Sequence, residues 1–214
     1  MPVLAVEELR FAYQRGGEEL FGGLTHAFEP GKVTALTGPS GRGKSTLLYV
    51  LGLLLTPTAG RVLIDDRPAS QSSDAARASI RSRRVGFVFQ DSELDPSRRV
   101  IDSVLEPALY AGCARGEKLG RARALLDQFG LAHRADHRPG QVSGGQAQRL
   151  AVCRALLMEP DIVLADEPTG NLDRGNAELV LAALTDAAHE QARTVVVATH
   201  DPFVLEHVDE VVQL

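Results

Sequence analysis

Apolar positions along the chain change period several times, and each change marks an element. From Val3 to Tyr13, apolar residues (Val6, Leu9, Phe11, Tyr13) alternate loosely with charged ones, the period of a half-buried strand, until Arg15-Gly16-Gly17 breaks it. Leu24 to Phe28 predicts a second strand, which turns at Pro30-Gly31 into a continuous apolar strand from Val33 to Thr37. A glycine-rich stretch and the apolar run from Leu47 predict a turn and a buried helix that Pro57-Thr58-Ala59-Gly60 ends. Arg61 to Asp65 reads as one more short strand. Together with the first two strands it predicts an antiparallel sheet beside a parallel core. Ser73 to Arg84 is a polar, basic helix, and Val85 to Phe89 returns to a buried strand that ends on Gln90.

From Asp91 to Gln141 the strand patterns vanish. Leu119, Ala122, Leu126 and Phe129 recur at helical intervals, Gly130 ends that helix, and Pro107 is expected to kink or shorten one that begins near Asp102. This reads as an inserted helical lobe. The parallel pattern resumes with a strand at Ile162 to Ala165 and a helix from Asn176 to about Glu190. A strand at Thr194 to Thr199 and an apolar stretch at Val211-Val212 complete it. Strands and helices that alternate around a parallel sheet define an α/β fold. The expected division is an α/β core with its antiparallel part over 1–90 and 160–214, and a helical subdomain over 91–159.

Gly38-Pro39-Ser40-Gly41-Arg42-Gly43-Lys44-Ser45, between the strand at Val33 and the helix at Leu47, fits G-x-x-x-x-G-K-[ST] in the strand–turn–helix context that the motif requires. Glycines let the backbone curl with its N–H groups inward, so an anion meets several donors and the positive end of a helix dipole. Lys44 then supplies a point charge to the β- and γ-phosphates, and the Ser45 hydroxyl can ligate Mg²⁺.

Asp166-Glu167 ends an apolar strand at the edge of the sheet where α/β proteins bind ligands. Beside a phosphate loop, Asp166 suits Mg²⁺ and Glu167 suits general-base activation of a water. Ser143-Gly144-Gly145-Gln146 opens a helix that runs to Met158. Such a start can be an ordinary serine cap, and its place between the helical lobe and the carboxylate strand makes it a candidate second anion site. His200 follows another core strand, where a neutral imidazole can reach a terminal phosphate or the attacking water. Gln90 ends its strand with an amide that can ligate Mg²⁺ or sense that water, and Tyr13 can stack on an adenine face.

A formal net charge of −5 argues against a nucleic-acid binder that relies on a broad cationic field. Cys113 and Cys153 lie far apart without metal-ligand spacing and read as small apolar residues in a reducing compartment. The most apolar run, Leu47 to Leu55, falls short of the roughly 20 residues that span a bilayer. The first residues lack the basic start of a signal peptide, so the cytoplasm is the expected compartment.

The ordered set Tyr13, Gly38 to Ser45, Gln90, Ser143 to Gln146, Asp166-Glu167, Asn171-Leu172-Asp173 and His200 resembles the ATP-binding cassette ATPases over essentially the whole chain. The resemblance implies a P-loop NTPase (RecA-like) α/β core with an antiparallel β subdomain and an inserted α-helical subdomain. It implies an adenine-stacking Tyr13 and a Walker A loop in which Gly38, Pro39, Ser40, Gly41, Arg42, Gly43, Lys44, Ser45 and Thr46 hold ATP. It further implies a signature loop of Ser143, Gly144, Gly145 and Gln146, and a D-loop that ends at Asp173. Mg²⁺ would sit on Ser45, Gln90 and Asp166, with catalysis by Glu167, His200 and Gln90.

Ala165 to Asp173 and His137-Arg138-Pro139 are similar to the lipoprotein-releasing and macrolide-exporter branch, which implies a homodimer of ATPase subunits on the cytoplasmic face of the cell membrane. Its partners there would be integral membrane permease subunits on separate chains, with no nucleic acid. Two features depart from the branch: Val142 stands where the signature usually has leucine, and Asp91-Ser92-Glu93-Leu94-Asp95 is more acidic than usual. If that segment is extended, its three acids share one side. The other readings are a force-transmitting cell-division cassette and a soluble cassette acting on nucleic acid or ribosomes. Soluble relatives usually carry coiled-coil insertions or two cassettes, and this chain shows neither.

Overall fold

The computed structural model describes residues 3–14, 17–39, 41–170 and 172–214. β1 (Leu4–Phe11) turns Leu4, Val6, Leu9 and Phe11 inward. The odd spacing from Val6 to Leu9 is absorbed by a register shift at Glu8, whose φ is 48°. β2 (Leu20–Phe28) runs antiparallel to β1 and starts earlier than its apolar pattern suggests. β3 (Val33–Thr37) is buried at its first four positions and leads through the glycine turn into helix α1 (Lys44–Leu51). α1 stops at Gly52, ahead of the expected proline stop, because Leu53 adopts a left-handed φ of 58°.

β4 (Ala59–Ile64) pairs antiparallel with β1, and the short β5 (Arg67–Pro68) pairs with β4. Helix α2 (Asp74–Arg84) begins at Ser73, whose side chain accepts from the Ala76 N–H, and it runs directly into β6 (Val85–Val88). Four helices follow: α3 (Val100–Val104), α4 (Glu106–Tyr110), α5 (Arg115–Gln128) and α6 (Gly144–Leu156). Pro107 occupies the first turn of α4, where its missing N–H costs nothing, so two short helices replace one kinked helix. β7 (Ile162–Asp166), α7 (Arg174–His189), β8 (Thr194–Ala198), α8 (Pro202–Leu205) and β9 (Glu210–Gln213) complete the chain.

The strands form an antiparallel sheet in the order β2-β1-β4-β5 and a parallel sheet in the order β6-β7-β8-β3-β9. Period-two alternation divides the parallel strands between two cores. Val163, Ala165, Val195 and Val197 face α3, α5, α6 and α7, while Leu164, Val196, Ala198 and Leu36 face the other way. On that second face lie Leu47, Leu48, Val50 and Leu51 of α1, and beyond them the inner face of β1. α1 is thus clamped between the two sheets, and each fully buried leucine contributes roughly 1.5–3 kcal/mol. Cys153 is fully buried and desolvation pushes its thiol well above the ordinary range, while Cys113 is free and packs at the edge of the same core. Among the described residues, no helix is long and apolar enough to cross a membrane.

Candidate active site

The carboxyl ends of β3, β6, β7 and β8 converge on one cleft of ≈ 660 Å³. Tyr13, Leu20, Gly38, Pro39, Gly41, Gly43, Lys44, Ser45, Thr46, Gln90, Asp166, Glu167 and His200 line it. Gly41 and Gly43 hold φ of 82° and 91°, a backbone that a side chain would strain, and a Cβ on Gly43 would lie 3.0 Å from Leu20. Gly43 also serves as the N-cap of α1 and offers no side-chain acceptor, so the first N–H groups of that helix stay open to an anion. Lys44 donates from Nζ to the carbonyls of Gly38 (2.9 Å) and Pro39 (3.3 Å), which holds the ammonium over the loop. Arg42 is exposed and contributes its N–H to the Pro39 carbonyl, outside the lining of the cleft. Ser40 and Asn171 lie outside the described residues.

Asp166 is only 2% exposed at the end of β7. Burial pushes its carboxyl above the ordinary value, and the neighbouring Glu167 adds to this, while hydrogen bonding with Ser45 and the charge of Lys44 pull it back. A buried carboxylate beside a hydroxyl, with the Gln90 amide across the cleft, is a set of hard oxygen donors that fits Mg²⁺.

The next residue, Glu167, has φ 43° and is fixed on both carboxylate oxygens. Oε1 lies 2.6 Å from His200 Nδ1, and Oε2 accepts from Thr199 Oγ1 at 3.3 Å. Thr199 was not singled out by the sequence, although its place beside His200 is a signal that could have found it. Leu20 carries no such signal. Tyr13 reaches the cleft as expected, with its hydroxyl 2.7 Å from Thr46 Oγ1 and its ring edge-on to Phe11.

The candidate second anion site stands apart. Ser143 caps α6 by accepting from the Gln146 N–H at 3.3 Å, and the Gln146 side chain accepts from the Ser143 N–H at 3.0 Å. This reciprocal cap uses one acceptor lone pair of the serine and leaves its hydroxyl proton free to donate. Gly144 has open space where a Cβ would stand, and a Cβ on Gly145 would meet Leu172 at 3.3 Å. None of Ser143 to Gln146, nor Asp173, lines the cleft. Asp173 caps α7, and its hydrogen bonds from Asn176 hold its carboxyl below the ordinary range.

A second concavity of ≈ 670 Å³ opens between α2, β6, α4 and α6, lined among others by Leu54, Phe87, Phe89, Glu93, Tyr110 and Arg154. Phe87 and Phe89 stack there with centroids 4.2 Å apart. The acidic segment after Gln90 does not present its three acids on one side. Glu93 takes a φ of 49°, which breaks the alternate spacing, and Asp95 is turned back onto the Ser97 N–H and hydroxyl. Only Glu93 of the three lines the groove.

The model of the family described as ABC transporter matches residues 21–170. The lipoprotein-releasing system ATP-binding protein LolD 1 of Rhodospirillum rubrum is 43% identical, covering 99% of this chain and 94% of that protein. LolD 2 of Caulobacter vibrioides, with the same description, is 43% identical over 100% of this chain and 94% of its own. Among solved structures, the dimeric post-hydrolysis state of the ATP-binding cassette MJ0796 bound to ADP and Pi superposes with a TM-score of 0.91. It is 34% identical, with 99% of this chain and 94% of that chain covered. Phosphate loop, carboxylate pair, helical insertion and these full-length similarities agree, and the chain belongs to the ABC transporter family as one of its ATP-hydrolysing subunits.

Proposed function

We propose that two copies of this chain close head to tail around ATP and Mg²⁺ and drive separate membrane permease subunits of the lipoprotein-release type. The observation that carries this reading is the separation of two complementary half-sites. One cleft gathers Lys44, Ser45, Gln90, Asp166, Glu167 and His200, while the serine-glycine start of α6 presents its donors elsewhere. A two-fold pair brings Ser143 of one copy over the γ-phosphate held by Lys44 of the other, so each site is complete only in the dimer. The dimeric MJ0796 cassette supports that arrangement. Within each copy, residues 91–159 act as the helical subdomain and the remainder as the nucleotide-binding core.

In the closed pair the α1 N-terminus and Lys44 bind and orient the phosphates, and entry of nucleotide exchanges the Tyr13–Thr46 bond for stacking of the phenol ring on adenine. Ser45, Asp166 and Gln90 would hold Mg²⁺, which would supply charge neutralisation to the bound phosphates. The Glu167 carboxylate takes a proton from the attacking water as its oxygen bonds to the γ-phosphorus, and the bond to the leaving ADP oxygen breaks. His200 fixes that carboxylate through Nδ1, and the products are ADP and phosphate. ATP favours the closed pair only through its preference for it, so hydrolysis releases the pair and resets the membrane partner.

The groove beside α2 and α4, with exposed Leu54 and Tyr110, supports docking of the permease from the cytoplasmic face. Similarity to LolD proteins favours lipoprotein release as the work performed. Glu167→Gln keeps the shape and removes the base. It should bind ATP, run as a dimer in sizing chromatography with ATP and Mg²⁺, and lose at least ~100-fold in turnover. Hydrolysis at the wild-type rate would end the general-base assignment, and a monomer under those conditions would end the paired-site reading.

A further inference from the structure

Arg154 is a buried cation that the chemistry of the cleft does not use. It lies in the last turn of α6 with its side chain only 9% exposed. Nη1 donates to the Glu93 carbonyl at 2.7 Å and Nη2 to the Ser92 carbonyl at 2.8 Å, while Glu106 Oε2 stands 3.8 Å from Nη1. Midway along the same helix, buried Gln148 donates from Nε2 to the Phe89 carbonyl at 3.5 Å. Helix α6 therefore grips the chain on both sides of Gln90, once before it and twice after it. Residues 89–99 contain no helix or strand of their own, and these hydrogen bonds, with the Phe89 ring on Phe87 and Leu94 on the core, tie the segment to rigid elements.

A guanidinium suits the task because its planar fork takes two adjacent carbonyls at once. Taking it out of water is costly unless its protons are matched, and desolvation does lower its basicity here, which a methionine filling the same space would avoid. The opposite end of α6 is Ser143, the proposed donor to the partner copy's phosphate.

We infer that Arg154 is a positioning residue for ATP hydrolysis, clamping the segment after Gln90 to α6 so that Gln90 and Ser143 move as one body. Contact of Gln90 with the nucleotide in its own cleft then reaches Ser143, which serves the neighbouring copy's cleft. The groove end of this body is Tyr110, whose hydroxyl donates to Glu106 at 2.9 Å, beside Arg154. The inference rests on the paired-ATPase reading.

The test compares Arg154→Met and Arg154→Lys with the wild type and Glu167→Gln in steady-state ATPase assays, with sites counted by bound nucleotide. Lys44 and Ser45 are untouched, so KM for ATP should stay within about threefold while kcat per site falls about tenfold in the methionine variant. The lysine variant keeps the charge and one carbonyl bond, and should recover part of that loss. Gln148→Met, which removes only the Phe89 bond, is the second variant should Arg154→Met not fold, and it too should lower kcat at constant KM.

Unchanged kcat per site in these variants, or a lysine variant no better than methionine, overturns the clamp while leaving the ATPase reading intact. Failure of Glu167→Gln to pair, or of the wild type to hydrolyse ATP, removes that reading and the clamp with it.

Discussion

Glu167 holds a left-handed backbone at φ 43°, a conformation that costs a residue with a side chain on the order of 1–3 kcal/mol. The surroundings impose it: its N–H donates to the Ala198 carbonyl at 2.9 Å, and its two carboxylate oxygens are held by His200 and Thr199. The carboxylate pair was legible because both acids are adjacent in the chain and end an apolar strand. The bond between Tyr13 and Thr46 was not, because it joins residues 33 apart that only the fold brings together. At this scale the two proposed anion sites can be separated. Lys44→Ala deletes a charge-assisted contact and should weaken ATP binding about 10- to 100-fold. In the proposed pair Ser143→Arg puts bulk and charge where the partner's phosphate would sit, and should leave monomer affinity within about threefold while abolishing the ATP-dependent dimer. Isothermal titration and sizing chromatography read the two effects, and equal loss of affinity in both variants would refute the shared site.

Elements were readable wherever one pattern persisted, as in the continuous apolar runs of β7 and β8 or the helical spacing of Leu119, Ala122 and Leu126 in α5. Boundaries set by a single left-handed residue were not readable. Leu53 ends α1 early, just after Gly52, and Glu93 bends the segment after Gln90, and neither left-handed residue is itself a glycine. Close approach between elements is equally silent. A Cβ on Gly86 in β6 would stand 2.3 Å from the Ala155 carbonyl and 2.9 Å from Pro160, so α6 rests directly on this strand only because the residue is glycine. Gly86→Ala must push α6 outward at a cost of roughly 1–3 kcal/mol. In a chain of this size each kcal/mol lowers Tm by about 2–4 °C, and a calorimetric scan with unchanged Tm would show that the contact yields freely. The same displacement carries Arg154 and Ser143, so ATPase activity should fall further than the lost stability alone explains.

The two concavities of the molecule share no lining residue, although Phe89 and Gln90, adjacent in the chain, line one each. The cleft sits at the carboxyl ends of the parallel strands, where motifs concentrate and sequence reading is strong. The groove is assembled from α2, β6, α4 and α6, whose lining residues are scattered from Gly52 to Met158 and form no local pattern. The extended acidic strip expected after Gln90 dissolves in this fold, which moves the partner test from charge to shape. Exposed ion pairs contribute about 0 to 1 kcal/mol each, so Glu93→Lys alone should shift assembly with the membrane partner only slightly, and more at low salt than at high. Leu54 is 45% exposed on the groove wall, and its burial by a docking helix or loop would be lost if arginine stood there. Leu54→Arg should therefore reduce co-purification with the permease about tenfold or more, because an unpaired charge must be desolvated in an apolar contact. The free subunit should keep its ATP affinity within about twofold, since Leu54 is not among the residues lining the cleft. Normal co-purification of Leu54→Arg at both salt concentrations would mean that the permease docks elsewhere on this framework.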